Sequence, residues 1–197
     1  MKKLDKNSKT RENLLKAFLG ESGARNKYTY YAKIAEKEGF RQISGFFIET
    51  AENEREHAKI FLKYLGENFD EIEIKNEFYS IGLNETTEKN LEFSINGERK
   101  ENTILYPNFA SIAKDEGYEE IYESFIEIIE VEKIHEKRFM NLLENIKSDM
   151  VFKKQKEVIW KCRNCGYHRK DFIAPCICPS CKHKQEYFEV FIKNYWK

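Results

Sequence analysis

The chain has no net charge: 34 Lys and Arg are matched by 34 Asp and Glu. That balance removes the electrostatic signature expected of a nucleic-acid or acidic-membrane partner. No apolar run reaches the roughly 18 residues that a spanning helix needs. The opening Met1-Lys2-Lys3-Leu4-Asp5-Lys6-Asn7 also lacks the apolar stretch of a secretion signal, so a cytoplasmic protein is expected. Cysteine is absent before Cys162, and all five thiols fall between residues 162 and 181. Such clustering suits a metal site in a reducing compartment better than disulfides. Histidine is scarce, and only His57 and His135 precede residue 150. What is present suffices for a core, with 41% hydrophobic and 14% aromatic residues, and the 35% charged residues suit long exposed helix faces. The 197 residues leave room for one substantial domain and a small appendage.

Both early histidines follow a Glu by three residues, in Glu54-Arg55-Glu56-His57 and Glu132-Lys133-Ile134-His135. The stretches around them match at an offset of 78, pairing Ile43 with Ile121, Phe47 with Phe125 and Phe61 with Phe139. A Glu and a His spaced i, i+3 lie side by side on one helix face. They sit within the rows Ile43, Phe47, Thr50, Glu54, His57, Phe61, Tyr64 and Ile121, Phe125, Ile128, Glu132, His135, Phe139, Leu142, whose spacing places them toward a helical core. Buried carboxylates need a compensating cation, most simply a pair of metal ions.

Helical periodicity predicts four helices, over about Ser8–Glu38, Arg41–Leu65, Thr87–Glu116 and Glu119–Lys147, with Gly39 and Gly117 as stops. The first should turn Leu14, Phe18, Glu21, Arg25, Tyr28, Ala32 and Ala35 inward. Residues 67–86 lose the helical period and suit a crossover. Two helical hairpins joined by one long crossover give an all-α, ferritin-like four-helix bundle. Tyr31–Phe40 matches Phe109–Tyr118 at offset 78, whereas Glu21 matches Glu98 at offset 77. The third helix therefore holds one extra residue, expected as a π-bulge near Glu101–Pro107.

Each helix then supplies an inward carboxylate (Glu21, Glu54, Glu98, Glu132), and two add a His. This is the layout of di-iron and di-manganese carboxylate bundles. Glu101 follows Glu98 by three residues but has Ala24 as its repeat counterpart, so spacing alone leaves it between ligand and solvated carboxylate. Tyr28 and Tyr106 could each hydrogen-bond a ligand carboxylate or simply pack in the core. Downstream, Cys162-Arg163-Asn164-Cys165 and Cys178-Pro179-Ser180-Cys181 form two C-x-x-C knuckles, a tetrahedral Cys₄ pattern open to zinc or a single iron. Cys176 is left over as a free thiol, and His168 and His183 are assigned to the surface. The expected division is a bundle over 1–150 and a Cys₄ module over 151–197.

The segments Ala17–Ser22, Glu52–Lys59, Tyr106–Ala110, His135–Phe139 and Cys162–Tyr167 together resemble the rubrerythrin family, in order and over nearly the whole chain. That resemblance implies a ferritin-like di-iron domain followed by a rubredoxin-like Fe(Cys)₄ domain. It implies Glu21, Glu54, His57, Glu98, Glu101, Glu132 and His135 as di-iron ligands, with His57 replacing the Glu101 carboxylate on one iron upon reduction. Iron becomes the better choice for the Cys₄ site. The expected activity is reduction of hydrogen peroxide, with electrons from an external reductase or rubredoxin that draws on NAD(P)H, in a homodimer. An iron-storage ferroxidase, a dioxygen-reducing oxidase and a zinc-ribbon interaction module are the rivals. Cys176 and the basic His168-Arg169-Lys170 run depart from the family pattern but touch no expected ligand.

Overall fold

The computed structural model of the chain describes residues 3–66 and 82–192. Most of the expected crossover, residues 67–81 of 67–86, lies outside the described residues.

Helix α1 (Lys9–Lys37) starts at Ser8, whose side chain accepts from the Arg11 N–H. It ends at Gly39, whose φ of 82° lets Phe40 N–H reach Ala35 O at 2.8 Å. Helix α2 (Arg41–Leu65) runs back along it. The second hairpin pairs α3 (Thr87–Lys100) and α4 (Tyr106–Asp115) with α5 (Glu119–Lys147). Its turn repeats the first, with Gly117 at φ 75° and Tyr118 N–H on Ala113 O at 2.8 Å. The two turns also cap each other's hairpins. Glu116 accepts from the N–H groups of Lys9 and Thr10 at 2.9 Å each, and Glu38 accepts from Thr87 N–H at 2.7 Å. A carboxylate on free N–H groups at a helix start is favourable on both hydrogen-bond and dipole grounds.

The expected single third helix is interrupted. Residues Glu101–Leu105 are π-helical, and Tyr106 N–H bonds Glu101 O, five residues back. Pro107 opens the resumed α-helix, where its missing N–H costs least. The extra residue inferred from the 77/78 mismatch is thus absorbed at the expected place. Buried Asn102, and exposed Arg99 just before this stretch, fasten it to α5 through Glu136, at 2.8 and 2.7 Å.

Two aromatic layers fill the bundle. One contains Phe61, Tyr106, Phe109 and Phe125, and the other Tyr28, Tyr31, Phe47 and Phe139. Ring centroids approach to 5.0 Å for Phe61–Phe125 and 5.3 Å for Phe47–Phe139. Both periodic rows are buried as expected, except Tyr64, which is half-buried. On α1 the expected row holds less well. Phe18 and Arg25 are only half-buried, while Ala17, Ala24 and Tyr31 take the interior. A straight helix of 3.6 residues per turn drifts off a strict heptad over this length.

The C-terminal segment forms a three-stranded antiparallel sheet of β1 (Lys153–Cys162), β2 (His168–Ile173) and β3 (Phe188–Val190), in the order β2-β1-β3. Trp160, Cys162, Ala174, Cys178 and Phe188 make its small core. It rests on the α1–α2 turn. Arg41 Nε donates to Glu186 at 3.1 Å with its guanidinium 4.1 Å from the Tyr187 ring centre, and Phe40 stacks on Phe152 at 6.5 Å. Among the described residues, no helix is long and apolar enough to cross a membrane.

Candidate metal centres

Four helices deliver the bundle site. Glu21 comes from α1, Glu54 and His57 from α2, Glu98 from α3, and Glu132 and His135 from α5, none more than 7% exposed. Their donor atoms fall into two overlapping groups, Glu21, Glu54, His57, Glu132 and Glu54, Glu98, Glu132, His135, each within 4.8 Å. Glu54 and Glu132 belong to both, the arrangement required of carboxylates that bridge two cations. His57 Nδ1 lies 2.8 Å from Glu132, 3.0 Å from Glu54 and 3.8 Å from Glu21. His135 Nδ1 lies 2.7 Å from Glu132, 3.2 Å from Glu54 and 3.6 Å from Glu98. One ring nitrogen among three carboxylates cannot donate to all of them. One oxygen each of Glu21, Glu54, Glu98 and Glu132 is buried without a hydrogen bond of normal geometry. Such orphans are costly unless a ligand satisfies them.

The electrostatics agree. Burial, then the Glu132 and Glu54 charges, push Glu21 well above the usual carboxylate range; burial and Glu54 do the same to Glu98. Burial would raise Glu132 too, but hydrogen bonds from His135 and His57 pull it down to about 2. Burial would lower the imidazoles, yet Glu132 and Glu54 hold His57 up at about 9 and His135 at about 12. Without metal, the cluster is tolerable only with protons held on it. Cations in the two donor groups would replace those protons and occupy the orphaned oxygens, so the residues fit a di-metal centre.

Tyr28 and Tyr106 act across the bundle. Tyr28 Oη donates to Glu98, and Tyr106 Oη to Glu21, so each repeat's tyrosine holds the other repeat's carboxylate. Glu101 stands apart. It is half-buried and outside both donor groups, and burial followed by the Glu132 and Glu54 charges pushes it up to about 8. The structure therefore brings His57, and not Glu101, into the first group. Sequence reasoning missed Asn53, whose Oδ1 lies 3.3 Å from His135 Nε2.

In the C-terminal module, Cys162, Cys165, Cys178 and Cys181 converge as free thiols, with Sγ–Sγ separations of 3.7 Å (Cys162–Cys181) and 3.6 Å (Cys165–Cys178). A tetrahedron with metal–sulfur bonds of about 2.3 Å has edges of about 3.8 Å. The donor set therefore fits one tetrahedral ion. Burial pushes the Cys162 thiol up to about 12, while the His183 N–H pulls Cys181 down to about 5. Cys176 is exposed and outside the group, as is His168. His183 is half-buried rather than on the surface, packed edge-on to Tyr187 with centroids 4.4 Å apart. The balanced total charge also conceals a separation. Residues 151–197 contain eleven Lys and Arg against four Asp and Glu, a signal available from counting each segment by itself.

Fold and donor sets together define a ferritin-like bundle with a carboxylate- and histidine-lined di-metal site, carrying a rubredoxin-type Cys₄ module on the same chain. Residues 12–143 match the family model for rubrerythrin, and residues 160–189 that for the rubredoxin-like domain of rubrerythrin. The chain belongs to the rubrerythrin family. It is 50% identical over 192 residues to rubrerythrin-1 of Clostridium acetobutylicum, covering 96% of this chain and 98% of that protein. It is 46% identical over 190 residues to rubrerythrin of Nitratidesulfovibrio vulgaris, with the same coverages. A solved structure of nigerythrin in its fully reduced, all-ferrous state superposes with a TM-score of 0.60 at 28% identity, over 95% of this chain and 92% of that one. Family and donor chemistry together fit two irons in the bundle and one in the Cys₄ site.

Proposed function

We propose that the protein is a cytoplasmic peroxidase that reduces hydrogen peroxide to two waters, consuming two electrons and two protons. The observation that carries this reading is the overlap of two donor groups through Glu54 and Glu132, on a chain that also holds a Cys₄ site. Bound in the ferrous state, a di-iron pair supplies the two electrons that break the O–O bond.

Glu21, Glu54, His57, Glu98, Glu132 and His135 would hold that pair, with Glu101 as a further carboxylate outside both donor groups. Glu54 and Glu132, shared by both donor groups, would hold the two cations next to each other. Tyr28 and Tyr106 fix the outer carboxylates through their hydroxyl protons. The aromatic layers at both ends of the cluster keep bulk water out. Cys162, Cys165, Cys178 and Cys181 would hold the single iron that, when bound, serves as a one-electron donor to the bundle. An external reductase or rubredoxin, drawing on NAD(P)H, would supply electrons to that site. The excess of Lys and Arg on this segment favours an acidic donor. The working unit is a homodimer. An appended electron carrier has no use in iron storage, which argues against a ferroxidase.

The test is anaerobic titration of the reduced, iron-loaded protein. One peroxide should oxidise two bundle ferrous ions, much faster than an equal amount of dioxygen does. Oxidation by peroxide no faster than by dioxygen would overturn the assignment.

A further inference from the structure

Beside the bundle donors lies a buried hydroxyl whose proton nothing in the protein accepts. Thr50 of α2 is 0% exposed, and its Oγ1 has no hydrogen-bond partner among the described residues. A hydroxyl within a helix ordinarily donates to a carbonyl of the preceding turn. Ser22 does so to Phe18 O, Ser94 to Asn90 O, Thr29 to Asn26 O and Thr103 to Arg99 O, at 2.5–2.7 Å. Thr50 precedes Glu54 by four residues on one helix face. Helical side chains lean toward the N-terminus, so the Glu54 carboxylate overlies the Thr50 turn. Phe47 packs on Phe139 and Phe61 on Phe125, which sets α2 and α5 antiparallel with Glu54 opposite Glu132. Thr50 therefore stands at the level of His135. It separates the aromatic layer of Tyr28, Phe47 and Phe139 from the donor group Glu54, Glu98, Glu132 and His135. The hydroxyl of Tyr28 is already committed to Glu98. At the equivalent place in the other half, four residues before Glu132, the repeat has Ile128, which has no proton to give.

We infer that the Thr50 hydroxyl is a hydrogen-bond donor to a small exogenous ligand taken up at the His135 half of the di-metal site, an anion or peroxide with a basic terminal atom. Burying a hydroxyl without an acceptor costs free energy, which is recovered only when an acceptor enters. A bound cation cannot be that acceptor, because it repels the hydroxyl proton. The carboxylates cannot serve either once their lone pairs are spent on cations. What remains is a ligand that brings its own lone pair. Ile128 offers no such donor, so the ligand is held from one side only. This deepens the proposed function by naming a specificity-determining residue, and it rests on the di-metal part of that reading.

The experiment uses the full, iron-loaded chain in its oxidised state with azide as the probe, followed through the infrared antisymmetric stretch of the bound ion. Thr50→Val nearly keeps the shape and removes the donor. It should weaken azide binding about 10–100-fold and shift the stretch, because a hydrogen bond to an anion is lost. Thr50→Ser should keep the native affinity and frequency. Without azide, Thr50→Val should melt no lower than the native protein, since no internal bond is broken. Unchanged azide affinity and stretch in Thr50→Val would overturn the inference, as would a lower melting temperature that marks the hydroxyl as structural. Failure of the native bundle to take up azide would overturn it too. If Thr50→Val does not load iron, Thr50→Ala removes the same donor and is read the same way. Absence of peroxide turnover with these azide signatures intact would count against the peroxidase reading and leave the Thr50 donor standing.

Discussion

Removing the Tyr106 hydroxyl should hurt the metal-loaded protein more than the metal-free one. Tyr106 is 1% exposed and donates to Glu21, which is fully buried. A hydrogen bond to a buried charged group contributes about 1.5–3 kcal/mol. In Tyr106→Phe the ring still packs against Phe61, Phe109 and Phe125, so little cavity is left. Without metal, Glu21 can escape the loss by protonating, since burial and the Glu132 and Glu54 charges already push it well above the carboxylate range. A bound metal needs the ionised carboxylate, so that escape is closed. The expected loss is under about 1 kcal/mol for the metal-free form and about 2 kcal/mol for the loaded form. At about 2–4 °C per kcal/mol for a chain of this size, the loaded protein should melt about 4–8 °C lower. Tyr28→Phe, the repeat counterpart acting on Glu98, should behave the same way. Differential scanning calorimetry of both variants, with and without metal, measures this directly. A metal-free loss equal to the loaded loss would refute the reasoning.

Other consequences can be checked independently. His57 is held at about 9 and Glu101 at about 8 in the metal-free cluster. The raised imidazole stabilises the fold below its unfolded value of about 6.5 and ceases to do so as pH passes its folded value, while the raised carboxyl disfavours the fold increasingly above about 4.5. The metal-free protein should therefore lose melting temperature as pH rises from about 6.5 to 9, and a flat profile would contradict the cluster's electrostatics. Cys165→Ser should abolish the ferric-thiolate visible band and leave the bundle metal content unchanged, as metal analysis with the spectrum would show. Phe47→Ala removes a fully buried ring packed on Tyr28, Tyr31 and Phe139, and should cost about 3–5 kcal/mol in denaturant unfolding. Arg41→Glu should loosen the Cys₄ module from the α1–α2 turn, speeding proteolysis near residues 148–152, and adding Glu186→Arg should restore protection.

The repeat explains why so much could be read from the chain alone. Metal ligands on helices obey the helical period, so the burial of Glu54, His57, Glu132 and His135 followed from their apolar neighbours. The π segment was legible because two copies of one pattern disagreed by a single residue. Contacts between the copies were not. Nothing in the spacing says that Tyr28 reaches Glu98 rather than Glu21, or that Asn53 meets His135, because helix packing brings those residues together. Glu101 shows the same limit. Its place outside both donor groups depends on how the π turn rotates the helix, which a linear pattern does not specify. Four thiols complete the Cys₄ shell and leave His183 no ligand role, but its packing on Tyr187, which spacing does not specify, half-buries it.

An anomalous-scattering map of iron-loaded crystals tests the central claim most directly. Two iron peaks should lie within the bundle, both in contact with Glu54 and Glu132, with a third among Cys162, Cys165, Cys178 and Cys181. A bundle with one peak or none, with Glu54 and Glu132 bridging nothing, would contradict it.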